Sequence, residues 1–199
     1  MEEEKKIVSE GTKDIPTTAQ FEAELKRLRY RQNFIKTLWS TVSSLIVVAA
    51  VAVIISTMLL PVLRVTGTSM TPTLQNDEIL ICNKLGDIKQ GDIIAFYYNN
   101  KVLLKRVIGL PGDTIDIAED GTVYRNGEAL EENYVNELAL GEKDAETPIT
   151  VPESRYFVCG DHRSVSIDSR STSVGCIAEE NIIGVVAFRV YPFKSFGGV

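Results

Sequence analysis

Three observations predict a mainly β domain preceded by one transmembrane helix. From Thr37 to Leu63 the chain carries 27 consecutive uncharged residues, bounded by Lys36 and Arg64. The 136 residues beyond fall into short β-branched and aromatic runs separated by dipeptides that favour turns. No segment after the uncharged run sustains a helical period. Composition agrees with a folded chain. With 199 residues, 44% hydrophobic and 24% charged, it is neither a disordered tail, a collagen nor a disulfide-rich miniprotein. The net charge of −6, from 21 basic and 27 acidic residues, lacks the positive field of non-specific nucleic-acid binding. No nucleic-acid partner is expected.

The elements follow in order. Glu2 to Glu4 and Pro16 belong to a solvated tail. Between Thr18 and Lys36, Phe21, Leu25, Leu28 and Ile35 recur at steps of three, four and seven. That spacing suits an amphipathic helix beside anionic head groups, or a plain cytoplasmic extension of the anchor. The apolar heart of the next segment, LIVVAAVAVIISTMLL, runs from Leu45 to Leu60, with Trp39 at an interfacial position. About 20 apolar residues suffice to cross a bilayer core, so the lipid bilayer is an expected partner. Lys26, Arg27, Arg29, Arg31 and Lys36 precede the span, whereas only Arg64 is basic in the 20 residues after it. The positive-inside rule then predicts a single-pass protein with a cytoplasmic amino end. Ala50-Val51-Ala52 resembles a signal-peptide cleavage site, but the polar leader would be 36 residues long and the apolar run continues past the cut. An uncleaved anchor fits better. The expected division is 1–36 for tail and amphipathic helix, 37–63 for the anchor, and 64–199 for an extracytoplasmic domain.

That last domain carries 13 basic and 20 acidic residues. Strands are expected at Glu78–Asn83, Asp92–Tyr98, Val102–Ile108, Thr114–Ile117, Thr122–Arg125, Arg155–Cys159 and Ile182–Tyr191. Turns are expected at Asn99-Asn100, Pro111-Gly112, Asp120-Gly121 and Asn126-Gly127.

Three constellations carry chemistry. The first is GTSMTPTL, from Gly67 to Leu74. Gly67 permits a positive φ or a close backbone approach, and Ser69 on such a turn could help hold an oxyanion with its own N–H. A linker turn would use the same residue types. In the second, Leu103 to Asp113, Lys105 lies inside an apolar strand. A free lysine has a pKa of about 10.4, so service as a general base needs desolvation to lower it by around three units. Alternation groups Lys105 with Leu103 and Val107 but leaves open which face is buried. The third, Gly160 to Arg170, holds two Asp, two Arg and three Ser. There Asp168 could pair with Arg163 or Arg170, and Ser166 could orient a lysine amine. A serine, a lysine in an apolar strand and a polar clamp together describe a Ser–Lys dyad.

These residues resemble bacterial type I signal peptidase, the membrane-anchored serine protease family that removes signal peptides. The blocks GTSMTPTL, GDIIAF (Gly91–Phe96), KRVIGLPGD (Lys105–Asp113) and GDHRSVSIDSR occur in order after one anchor. The resemblance implies Ser69 as nucleophile, Lys105 as general base, Ser166 hydrogen-bonded to that lysine, and Asp168 and Arg170 bracing the site. It implies secretory preproteins as partners, a bacterial cell membrane location, no cofactor, and a β-sheet domain with a cap insertion. The 43 residues from Thr114 to Tyr156 make that cap small, with a hairpin turning at Asp120-Gly121 or Asn126-Gly127. Family substrates carry small residues, typically Ala, at the first and third positions before the cut. Val65, Met70 and Leu104 are the candidates to line the shallow apolar pockets this requires, or they are simply core.

Two positions depart from the commonest pattern. Some relatives have serine where Gly67 stands, so here the oxyanion hole must rely on backbone N–H groups. Position 162, usually asparagine, is His162, the chain's single histidine. A Ser–His dyad is the alternative, although histidine replaces the lysine in relatives that use one, and Lys105 is present. One histidine and three scattered cysteines make a metal site implausible. Cys159 and Cys176 could approach each other, yet buried free thiols are the simpler expectation. Three functional rivals remain: a non-catalytic anchor in a secretion complex, a self-cleaving Ser–Lys protease, and a peptidase dedicated to a narrow client such as pilins.

Overall fold

The structure, a computed structural model, describes residues 17–199, so the expected acidic tail lies outside them. The chain divides between Ile54 and Ile55 into two units. A single helix, α1 (Thr18–Leu59), contains both the expected amphipathic segment and the apolar run. It is long and apolar enough to cross a membrane, and none of its residues is buried by protein. The helix stops four residues short of the expected end at Leu63. Pro61 is the physical reason, because the residue before a proline is driven out of the α region. Val62 and Leu63 instead enter a strand.

That strand, β1 (Val62–Arg64), begins an antiparallel β domain. The larger sheet has the order β1, β2 (Ile79–Asn83), β11 (Ile182–Tyr191), β3 (Ile93–Tyr98), β4 (Lys101–Gly109), β9 (Arg155–Cys159), β10 (Ile177–Ala178), and β12 (Gly197–Gly198) pairs with β11. The smaller sheet has the order β7 (Glu128–Ala129), β6 (Val123–Arg125), β5 (Thr114–Ile117), β8 (Ile149–Thr150). All seven expected strands are present, and the five additional ones are two or three residues long. The smaller sheet occupies the segment expected to form a cap. It turns at both candidate positions: Gly121 N–H donates to Ala118 O, and Asn126-Gly127 joins β6 to β7.

One turn sets the register that matters most. Asn99 and Asn100 take φ of 44° and 61°, the left-handed pair of a two-residue hairpin, and join Tyr98 to Lys101. Counting back along the ladder puts Lys105 opposite Ile94. Both faces of β3 and β4 are covered. Ile93, Ala95 and Leu104 pack with Val65, Met70 and Leu74. Ile94, Phe96, Leu103 and Val107 pack with Tyr156, Val158 and Ile177. A third cluster joins Ile115, Ile117 and Val123 of the smaller sheet, with Val151 just past β8, to Phe157 and Cys159. Phe96 and Phe157 are fully buried, each contributing about 1.5–3 kcal/mol. The three thiols are free; Cys82 and Cys159 are buried and Cys176 is half-buried.

Candidate active site

The segment from Val65 to Leu74 is fastened along its length. Val65 N–H donates to Glu78 O at 2.8 Å, and Gly67 N–H to Asn76 Oδ1 at 3.0 Å. Arg189 donates to Thr73 O at 2.8 Å and pairs with Glu78 at 3.1 Å. Gly67 has φ of 94°, while a Cβ there would meet nothing within 4 Å. Its glycine is therefore required by backbone conformation rather than by a close approach. Beyond it Ser69 sits in the turn, and its N–H meets no protein acceptor among the described residues. Ser69 thus presents a hydroxyl and a free amide donor together, as an acyl-transfer nucleophile requires.

Lys105 answers the question its strand left open. It is 3% exposed, with Nζ 2.8 Å from Ser69 Oγ. Strand alternation could not decide its side because β4 is covered on both. Burial lowers its pKa, against the opposing pull of Asp168 and Asp161 and with the help of Arg170. The Cys159 thiol, pushed up chiefly by burial, stays neutral at ordinary pH and adds no charge. The ammonium donates to Oγ when protonated; the neutral amine accepts the hydroxyl proton across the same distance.

The polar block around residues 160–170 is a set of buried ion pairs. Asp168 pairs with Arg170, Nε to Oδ1 at 2.8 Å and Nη2 to Oδ2 at 2.9 Å, and accepts the Gly160 N–H at 2.8 Å. Burial pushes the Asp168 carboxyl up, but the Arg170 and Gly160 bonds outweigh it and hold it below the usual carboxylate range. Arg170 also donates to Ala139 O, Leu140 O and Arg163 O. Ser166 lies in the same block, 1% exposed. Its hydroxyl makes no hydrogen bond of ordinary geometry, although it helps weakly to lower the Asp168 pKa. The bond from Ser166 to Lys105 implied by resemblance is therefore not formed here. Gly160 is closely surrounded: a Cβ there would collide with Ser166 Oγ and with Ser69 O.

His162 meets the nucleophile turn without reaching the serine hydroxyl. Its N–H donates to Ser69 O at 3.1 Å, and its Nδ1 lies 3.0 Å from Thr71 Oγ1 and 3.3 Å from Thr68 O. A cleft of about 210 Å³ opens beside Ser69. Gly67, Ser69, Met70 and Val65 line one side, and Lys101 to Leu104 the other. Val65, Met70 and Leu104 are at once members of the core and walls of this cleft.

Several supporting residues escaped sequence reasoning. Arg106 pairs with Asp161 through both carboxylate oxygens at 2.8 and 2.6 Å, and donates to Gly91 O at 2.7 Å. Its guanidinium carbon lies 4.0 Å over the Tyr134 ring, a cation–π contact. Arg163 pairs with Glu132 rather than Asp168, at 2.9 Å through Nη1. Glu132 also accepts the Tyr134 hydroxyl at 2.7 Å. Both Glu132 and Tyr134 follow the small-sheet strand β7, in a stretch without any local motif. The only signal was composition: Arg106 and Asp161 stood as charges inside otherwise buried blocks.

Comparison with known proteins gives a consistent picture. Residues 38–191 match the family described as signal peptidase, peptidase S26. A signal peptidase I of Bacillus licheniformis is 36% identical over 173 residues, covering 79% of this chain and 90% of that protein. Signal peptidase IB of Staphylococcus aureus is 33% identical over 181 residues, covering 81% of this chain and 93% of that protein. The crystal structure of a signal peptidase I from Enterococcus faecalis is 35% identical, covers 50% of this chain and 97% of its own, and superposes with a TM-score of 0.42.

Proposed function

The chain belongs to the signal peptidase family, peptidase S26, and on that premise we propose that it cleaves its substrates through a Ser69–Lys105 dyad. Its activity is that of a signal peptidase I, a serine endopeptidase acting on secreted preproteins. The observation that carries the dyad is the 2.8 Å separation of Ser69 Oγ and Nζ of a buried lysine.

The chemistry follows from that geometry. Neutral Lys105 takes the Ser69 hydroxyl proton, and Oγ bonds to the carbonyl carbon of the scissile peptide. The negative charge on the carbonyl oxygen is met by the Ser69 N–H, with no hydroxyl available at Gly67. As the tetrahedral intermediate collapses, the lysine ammonium gives its proton to the departing amine, leaving an ester on Ser69. Water, deprotonated by the same amine, attacks that ester and restores the serine. Asp168, Arg170 and Ser166 touch no substrate in this scheme; the ion pair fixes the loop that packs against Ser69.

Val65, Met70 and Leu104 bound the cleft in which small side chains before the cut would lie. The bilayer holds α1, with its amino end in the cytoplasm and the β domain outside. Support for that orientation comes from the basic residues before the span and their scarcity after it.

The reading is tested with full-length protein in detergent and a preprotein bearing an Ala-x-Ala site, from about pH 6 to about pH 11. Ser69→Ala and Lys105→Ala each lose roughly 10⁴-fold in kcat, while His162→Ala loses no more than about tenfold. Loss with His162→Ala and retention with Lys105→Ala would move the base to the histidine. Folded wild type that cleaves nothing would point to a binding role or a narrow client.

A further inference from the structure

The bonds around Thr68 O give His162 a role that the dyad alone does not require. The Thr71 hydroxyl has one proton, and it is directed at Thr68 O, 2.8 Å away. Toward the imidazole, Thr71 Oγ1 is therefore an acceptor. The ring nitrogen facing it, 3.0 Å away, must carry the hydrogen. The same Nδ1–H also reaches Thr68 O at 3.3 Å, where a bare lone pair would oppose the carbonyl. His162 is thus an Nδ1–H donor, and its Nε2 has no partner among the described residues.

Thr68 O and the Ser69 N–H belong to one planar, trans peptide unit and point in opposite directions. Three donors converge on Thr68 O: the Thr71 N–H at 3.1 Å, the Thr71 hydroxyl and the His162 ring. Holding the oxygen on one side aims the N–H out of the other, where it meets no protein acceptor. A second bond, from the His162 N–H to Ser69 O at 3.1 Å, fixes the following peptide. His162 is itself anchored, because the preceding residue Asp161 is buried and gripped by Arg106.

We propose that His162 is a positioning residue that, with Thr71, locks the Thr68–Ser69 peptide so that the Ser69 N–H points at the developing oxyanion. The assignment rests on the Ser69–Lys105 reading given above. It needs no change in the charge of His162, since Nδ1–H is present in both the neutral and the protonated ring. The oxyanion exists only along the reaction path, so the lock acts on kcat and leaves substrate binding alone.

The test uses full-length protein in detergent, steady-state cleavage of an Ala-x-Ala preprotein, and three substitutions. His162→Ala keeps the backbone bond to Ser69 O and loses only the ring donor. Its kcat falls roughly three- to tenfold, the worth of one ordinary hydrogen bond, with KM unchanged. His162→Asn puts an amide nitrogen on Cγ, where Nδ1 stood, and recovers most of the rate. His162→Gln carries its amide one bond further out, near the position of Nε2, and does not recover it. Thr71→Val, which removes the hydroxyl with little change of shape, lowers kcat in the same range. Full kcat in His162→Ala, or Gln rescuing as well as Asn, would overturn the positioning role while leaving the dyad intact. Cleavage that survives Ser69→Ala would overturn both.

Discussion

Arg170 holds Asp168 through both carboxylate oxygens, at 2.8 and 2.9 Å, with each residue 1% exposed. The pair carries the Gly160 amide on one side and the carbonyls of Ala139, Leu140 and Arg163 on the other. Removing the acid would strand a guanidinium with no compensating charge beside it. Asp168→Ala is therefore expected to lose about 3–5 kcal/mol of stability. Urea unfolding of the full chain in detergent, followed by maleimide labelling of the buried thiols Cys82 and Cys159, measures it. The sign with pH is also fixed. A carboxyl held below its ordinary value stabilises fully above the unfolded pKa of about 3.9, and that stability disappears as pH falls through the lower folded value. Wild type loses stability over that acid range; Asp168→Ala loses less.

Lys105 carries the opposite kind of cost. Burial lowers its pKa in the folded state, so the unfolded chain binds the proton more readily. Below the ordinary lysine value of about 10.4 this favours unfolding, and the cost grows as pH falls toward the folded value. Lys105→Met should therefore be inactive and yet more stable than wild type near neutral pH. The single lost bond to Ser69, worth about 1 kcal/mol, offsets part of the gain. Above about pH 10.4 the advantage should vanish. An equal or lower unfolding midpoint at pH 7 would contradict the desolvated lysine.

Activity gives a second view of the same group. Only the neutral amine can take the Ser69 proton, so kcat/KM should rise with pH through the lowered Lys105 value, well before a free lysine would titrate. His162→Asn should leave that acid limb in place. Loss of the limb in that variant would overturn its assignment to Lys105.

Much of this arrangement was legible in the chain itself. The Asn99-Asn100 turn and the β-branched runs on either side of it fix β3, β4 and the register of Lys105. Ser69 and Lys105 stood out only in combination with the polar block and through the family resemblance, since alone the first fits a linker turn and the second a surface lysine. The facing of Lys105 was not legible, because period-two alternation discriminates only when one face is wet, and from Leu103 to Gly109 no residue of β4 is exposed. The partner of Arg163 was hidden for another reason. Glu132 lies 31 residues away in an irregular stretch, and nothing local in either segment encodes the meeting. Pro61 ends the helix before the apolar run ends, so composition alone overextends the span.

Gly160 packs closely against the nucleophile turn. A methyl group there would overlap Ser69 O and Ser166 Oγ, both backed by tightly bonded backbone. Gly160→Ala should destabilise by about 1–3 kcal/mol and displace Ser69. Its kcat should fall roughly a hundredfold, as expected for a misplacement on the scale of an ångström. Unchanged kcat in a folded variant would mean that the loop can move aside.

Leu104 tests the cleft. Its side chain packs with Val65 and Met70 and lines the space beside Ser69. Leu104→Ala should enlarge that space. Cleavage after a valine or leucine at one of the two small-residue positions should improve about tenfold or more relative to alanine, the usual worth of a few methylenes in an apolar pocket. Paired preproteins differing at that residue measure the ratio. If the preference for alanine is unchanged, Leu104 is core and the pocket lies elsewhere.

Glu132 is the prediction that reaches furthest from the dyad. Its carboxylate takes Arg163 through two oxygens, and Arg163 Nε donates to Gly160 O at 3.1 Å. Both partners are buried, so Glu132→Ala leaves a buried cation and should cost about 3–5 kcal/mol. That cost belongs to the abandoned arginine more than to the pair. Glu132→Leu combined with Arg163→Met should therefore be more stable than Glu132→Leu alone, since two apolar side chains leave nothing uncompensated. Catalysis should behave differently. The double variant no longer holds Gly160 O, so its kcat should stay low even where stability returns. Measuring unfolding and kcat on the same three proteins separates the two effects. Recovery of both together would show that Arg163 serves the stability of the small sheet and has no part in placing Ser69.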